Sequence, residues 1–390
     1  MIIKTVKWLC LLAFLGLILF LVLGPAVVEK SMNVVEEHEP YPISEAAAAL
    51  HASLVVGDWH ADSPLWKRRL HKRSKRGHVD LPRLQEGNVM LQMFTTVTKS
   101  PSGQNYERNE ASAKDNITTL AMVQLWPKKT WKSLTERALY QAGKIHKLAE
   151  RKPDDFKLIT SQAELAALVE QRKSNPTLVG GLIGTEGSHA LDGKLENIQR
   201  LYDKGFRMMS LHHFFDNKLG ASLHGTSQTG LTEFGREAVR KMWDLDIIID
   251  VSHSSEQVVK EVLAMTGKPL VVSHTGFKGH CDSPRNISDD LMQQIAAQRG
   301  LIAVGYWDGA ICGNSPQTVA EAINYGIQLV GADHVALGSD FDGTVTTSFD
   351  TSELAAITQA LMDIDVPEGQ IRKVMGGNML RLLQENLPAE

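Results

Sequence analysis

A closed (β/α)8 barrel is the fold that three observations predict. Short apolar runs recur along the chain, helical patterns stand between them, and imidazoles or carboxylates end many of the runs. The runs are 54–62, 89–97, 177–187, 205–213, 247–254, 269–276, 300–308 and 334–343. Between the later ones, 232–245, 255–265, 288–298 and 318–330 carry apolar residues at spacings of three and four, with Ser or Thr at several starts. Near-continuous hydrophobic strands alternating with helices indicate a parallel sheet covered on both faces. Eight of them favour closure into a barrel, and a doubly wound open sheet is the alternative. Segment 98–160, between the second and third runs, is an insertion expected to add helices outside the repeat.

Taken in chain order, residues 8–28 hold no charge and come after Lys4 and Lys7. That length can cross a bilayer, and the lysines place the N-terminus in the cytoplasm. Residues 1–29 therefore read as a membrane anchor, with a cleaved signal peptide as the alternative; both export the rest of the chain. The polar, proline-containing stretch 30–45 reads as a linker. Residues 46–390 show no further break and read as one barrel domain. With 43% hydrophobic and 22% charged residues the chain buries a large core, and a net charge of −4 leaves no dominant basic surface for nucleic acid. The run "KRRLHKRSKRGH" (67–78) comes just after the first strand. A solvated loop is its default reading, and attraction of anionic lipid or of an acidic substrate is the functional alternative.

Barrel active sites form at the C-terminal ends of the strands. His60 and Asp62 stand two apart at the end of the first run, so both face one side. Alone, that pair is more often an ordinary polar strand end than a metal site. Glu186, His253 and His274 close later runs in the same way. Three histidines and two carboxylates at one mouth suit a two-metal centre with a shared carboxylate. Nitrogen and oxygen ligands agree with zinc, with manganese or cobalt open as alternatives. Export permits disulfides, and Cys281 and Cys312 are the two cysteines beyond the anchor; spacing alone leaves a bond or two separate thiols equally open.

Longer motifs carry a resemblance. "GDWHADSPLW", "HVDLPRLQEGNVMLQMF", "GTEGSHAL", "GLTEFGREAVRKMWDLDIIIDVSHSS", "SHTGFKGHCDSPRNISDD", "HVALGSDFDG" and the closing "VMGGNMLRLL" resemble the membrane dipeptidases, binuclear zinc peptidases with an amidohydrolase-like barrel. The likeness runs over about residues 54–384. It implies that His60, Asp62 and Glu186 hold one zinc ion and Glu186, His253 and His274 the other, so that Glu186 bridges. By the same resemblance His213 polarises the substrate, with adjacent His212 as a one-residue alternative. Arg285 binds the substrate carboxylate, and Asp340 serves as acid and base, with Asp342 two residues on. The implied reaction is hydrolysis of dipeptides, extending to those with a C-terminal D-residue, by a hydroxide bridging two zinc ions. No G-x-S-x-G nucleophile motif occurs, in keeping with a reaction that needs no protein nucleophile. A Cys281–Cys312 disulfide and a homodimer are further implications. The implied location is a bacterial inner membrane with the barrel on the periplasmic face. An amidohydrolase acting on another small amide or lactone, and an inactive binding barrel, are the competing readings.

Overall fold

Alternation decides where each strand residue goes. In the structure, a computed structural model that describes residues 2–265 and 268–390, eight parallel strands form a ring. They are β1 (Val56–Ala61), β2 (Val89–Val97), β3 (Val179–Glu186), β4 (Phe206–Ser210), β5 (Ile248–Asp250), β6 (Val271–Thr275), β7 (Leu301–Val304) and β8 (Val335–Leu337). Each pairs with the next, and Leu337 opposite Asp58 closes β8 onto β1, which excludes the open sheet. Leu182, Met208, Ile248, Val271 and Leu301 pack in one apolar cluster, and their successors Ile183, Met209, Ile249, Val272 and Ile302 pack in another. The first cluster, capped by Met379 and Leu382 of helix Asn378–Asn386, fills the ring. The second lies between the ring and its helices.

Two residues further along the inward face the chemistry changes. Ile248 is succeeded by Asp250, Val271 by Ser273, Met208 by Ser210, and Leu182, after Gly184, by Glu186. The C-terminal half of the ring is therefore a polar layer above an apolar plug, as a barrel with a working mouth requires.

The predicted helices match closely. Thr232 caps Glu233–Asp244 by accepting from the Gly235 amide, and Ser315 forms a capping box at Pro316–Val330. Glu256–Met265 and Asp289–Ala297 occupy the other two predicted positions. The insertion supplies helices Asn116–Val123 and Leu134–Arg151, plus a strand, Phe156–Leu158, that pairs with β3 outside the ring.

Three expectations need correction. Several strands stop short of the predicted runs, at Ser210, Asp250 and Leu337, so His213, His253 and Asp340 lie in loops. The reason is local: the Asp250 carboxylate takes the Ser252 amide, and the Asp58 carboxylate takes the Ser339 amide, pulling backbone donors off the ladder. Backbone φ is +60° at His253 and +58° at Asp340, which no strand accommodates. The stretch 30–45 does not hang free. Val34–Val35 pairs in parallel with Thr346–Thr347, and the Asn33 side chain accepts from the Thr344 amide at 2.8 Å. Finally, the basic run is only partly solvated. The Arg68 side chain is 3% exposed, held between Glu29 and Asp342, because two buried carboxylates need a fixed cation.

The N-terminal helix runs from Ile2 to Met32 and exposes Trp8, Leu12, Leu19, Val22 and Val27, while Pro25 and Glu29 near its end are buried against the barrel.

Candidate metal centre

Four imidazoles converge on one carboxylate oxygen. Glu186 Oε1 lies 3.6 Å from His60 Nε2, 3.4 Å from His213 Nε2, 3.4 Å from His253 Nε2 and 3.5 Å from His274 Nε2. Asp62 Oδ1 is 3.6 Å from His60 Nε2, and Asp340 Oδ1 is 3.9 Å from it. All of these side chains are buried.

The rings are aimed by their far sides. The Ser273 hydroxyl donates its one proton to Asp250 Oδ2 at 2.7 Å, so its lone pairs accept from His60 Nδ1 at 2.9 Å and His274 Nδ1 at 3.0 Å. Both rings then carry their proton on Nδ1 and turn a bare Nε2 inward, the arrangement that metal-ligating histidines need. His213 behaves alike, because its Nδ1 faces the Lys99 carbonyl at 3.0 Å and must donate to it. His60 Nε2 is buried without a hydrogen-bond partner, and His253 Nε2 and His274 Nε2 stand 2.9 Å apart. Lone pairs pointed at a shared centre, beside three carboxylates, are what divalent cations satisfy, and the nitrogen and oxygen donor set fits zinc.

The ligand atoms fall into two groups, His60, Glu186, His274 and Asp340 in one, and Glu186, His213 and His253 in the other. Glu186 belongs to both. His274 stands between the two groups: its Nε2 is 2.9 Å from His253 Nε2, and it shares the Ser273 hydroxyl with His60, their ring centroids 3.8 Å apart. Asp62 stands at the edge of the first group, its Oδ1 held by the Thr95 hydroxyl at 2.7 Å.

Burial and crowding of like charges set the electrostatics. Burial pushes Glu186 well above the usual carboxylate range, and the Asp62 and Asp340 carboxylates push it the same way. Asp340 rises to about 8, chiefly by burial, with His60 opposing. Burial depresses His253 and His274 well below the ordinary imidazole value and His213 to about 4, keeping them neutral. For His60 burial also opposes charge, but the neighbouring Asp62 and Asp340 outweigh it and raise its pKa.

Arg285 is 1% exposed, donates to the His274 carbonyl at 2.8 Å and lies over the Trp307 ring. His212 turns away to the Ser254 hydroxyl, so His213 and not His212 reaches Glu186. Asp342 also turns away from the cluster. Burial works against its charge, but Arg68 and bonds from His78 and Ser63 hold its carboxyl below the usual range. Cys281 and Cys312 are joined, with Cα atoms 5.6 Å apart.

The family model for membrane dipeptidases (peptidase family M19) matches residues 44–389. The chain belongs to the membrane dipeptidase family. Its His, Glu and Asp cluster is accordingly the buried metal-binding cluster of a metallopeptidase. Among relatives, mouse dipeptidase 3 is 26% identical over 374 residues, covering 88% of this chain, and the chain spans 66% of that protein's length. Dipeptidase verJ of Clonostachys rogersoniana is 27% identical over 353 residues, covering 86% of this chain and 85% of its own length. A Rhodobacter sphaeroides metallopeptidase, solved with a phosphinate mimic of the dipeptide L-Ala-D-Ala, superposes with a TM-score of 0.66 at 24% identity, covering 86% of this chain and 99% of that one.

This member of the membrane dipeptidase family also has site residues that its sequence did not flag. Ser273 and Asp250 orient two imidazoles, and "DVSH" and "VVSH" did contain them, each at the polar end of a run. Tyr106, from the insertion, lines the cavity above the cluster and accepts from Trp307 Nε1 at 2.8 Å; no sequence pattern pointed to it.

Proposed function

We propose that this chain is a membrane-anchored dipeptidase in which Glu186 bridges two zinc ions, with the barrel on the outer face of the membrane. The observation that carries the reading is the single Glu186 oxygen ringed by four imidazole nitrogens at 3.4 to 3.6 Å. His60, Asp62, His253 and His274 complete the ligand set. When bound, the two ions supply a water acidified toward neutrality and a Lewis acid for the scissile carbonyl.

The chain's own residues do the rest. Arg285 presents a planar guanidinium in the cavity for the substrate's free carboxylate, which limits substrates to two residues. His213, its Nδ1 proton committed to the Lys99 carbonyl, is held beside Glu186 where the carbonyl oxygen gains charge; donation to that oxygen requires a second proton on Nε2, so the ring acts there as an imidazolium that forms only as the charge develops. Asp340 takes the proton from the attacking water and delivers it to the leaving amine. The dipeptide mimic bound by the R. sphaeroides enzyme supports a D-residue at the C-terminal position here as well. The uncleaved anchor is supported by the apolar helix and by Pro25 and Glu29 near its end, which are buried against the barrel.

The test is hydrolysis of L,L and L,D dipeptides by the full chain, with metal content measured alongside. Turnover with about two zinc ions per chain is expected. Bound metal without dipeptide turnover would redirect the reading to another small amide or lactone.

A further inference from the structure

The cavity above the metal cluster, about 680 Å³ in volume, has two unlike walls. One is the polar floor with Glu186, His213, Arg285 and Asp340. The other is apolar, and part of it comes from outside the barrel: Phe20, Gly24, Val28 and Met32 of the N-terminal helix line the same cavity. These positions recur every four residues, so they form one stripe along the helix, and Trp66 and Leu120 continue the wall from the barrel loops.

The stripe is seated by specific bonds. Glu29 is fully buried and pairs with Arg68 Nε at 2.8 Å and Arg76 Nε at 2.7 Å. Arg68 in turn holds Asp342, two residues from Asp340. Just beyond the helix, Asn33 and the Val34–Val35 strand bind the same loop at Thr344 and Thr346–Thr347. The end of the helix and the loop that carries Asp340 are thus one unit.

Phe20 to Val28 are also the last residues of the uncharged stretch 8–28, about 12 Å of helix at 1.5 Å per residue. A helix that crosses a bilayer with this stretch sets the cavity at the membrane interface. Helix Asn116–Val123 packs beside it, and Met122 and Leu125, 41% and 61% exposed, add apolar surface at that level.

We infer that the N-terminal helix is a wall of the substrate cavity and that the preferred substrates are amphiphilic dipeptides, bearing a bulky apolar side chain, taken up at the membrane interface. This rests on the dipeptidase and anchor readings above. An apolar side chain placed against the stripe is desolvated by it, whereas a methyl side chain gains little.

The experiment measures kcat/KM for Leu-Phe and Ala-Ala with the full zinc-loaded chain in phosphatidylcholine vesicles. Wild type is expected to favour Leu-Phe by about tenfold or more. A Val28→Asn, Met32→Asn double variant should lower that ratio severalfold. Val27→Asn adds one such amide, next to position 28, on a residue that is 65% exposed and does not line the cavity, and it should leave the ratio as in wild type. Equal preference in wild type, or an unchanged ratio in the double variant, overturns the inference while Ala-Ala turnover upholds the dipeptidase reading. Loss of the ratio in Val27→Asn as well would assign the effect to membrane insertion and also overturn it. No turnover of either peptide would bring down the dipeptidase reading itself.

Discussion

His60, Glu186 and His274 stand on strands, whereas His213, His253, Arg285 and Asp340 stand on loops, and the two halves of the site are held in different ways. The strand-borne half is placed by sheet register: Val97 pairs with Glu186 and Thr275 with Val304, and one hydroxyl, Ser273, orients two imidazoles while anchored to Asp250. The loop-borne half uses left-handed backbone at His253 and Asp340 and contacts from distant segments. Lys99 of the insertion fixes His213, and the Asp342 network with Arg68 and Glu29 fixes the Asp340 loop. Groups on a closed sheet are positioned by the fold itself; groups on loops need partners recruited from elsewhere in the chain.

The sharpest break of this comparison is at the residue both metal groups share. Glu186→Gln should abolish activity and strip the bound metal, read by metal analysis of the purified variant; retention of both ions would remove the bridging role. Next comes the loop-borne half. Asp340→Asn should lower kcat by about 10²- to 10⁴-fold with metal content intact. Loss of an ion instead would make Asp340 a ligand, as its grouping with His60 and His274 permits. Arg285→Lys keeps the charge but not the fork, and should weaken substrate binding by about 1.5–3 kcal/mol, seen as raised KM with kcat less affected. In the strand-borne half, Ser273→Ala should cost about 10- to 100-fold in metal affinity. An unchanged affinity in a chelator competition would show that register alone holds the rings.

The smallest effect is in stability. Without metal, burial holds Asp340 at about 8, above its unfolded value, and Glu186 is raised by the same cause. Above about pH 7, where the depressed histidines are neutral in both states, the folded chain still binds protons that the unfolded chain has released, and its stability falls as pH rises through about 8. Chelated protein should melt at a lower temperature at pH 8.5 than at pH 7, and zinc should narrow the gap. Equal melting temperatures would mean that the carboxylates are already neutralised.

Much of the strand-borne half was legible because it derives from period. A buried parallel strand reads as an apolar run, and a polar residue at its end stands out, as with Glu186 in "LIGTEG" and His274 in "VVSHTG". The loop-borne half has no period. His253 could be located but its left-handed turn could not, and His213 and His212 were indistinguishable until one ring met Glu186 and the other Ser254. The basic run misled for a related reason. Its composition resembles a solvated loop, yet Arg68 is buried by partners more than 30 residues before it and more than 200 after it.

By itself the sequence determined the alternation that sorts strand residues onto two faces, the polar residues at the strand ends, and the uncharged N-terminal stretch. Each depends on neighbours a few residues apart. Only the tertiary structure decided that residues 60, 186, 253 and 274 share one centre, that Ser273 aims two of the rings, and that the last turns of the N-terminal helix wall the cavity. These depend on ring closure and on ion pairs between segments remote in sequence, and no local pattern encodes which distant partner a buried charge will find.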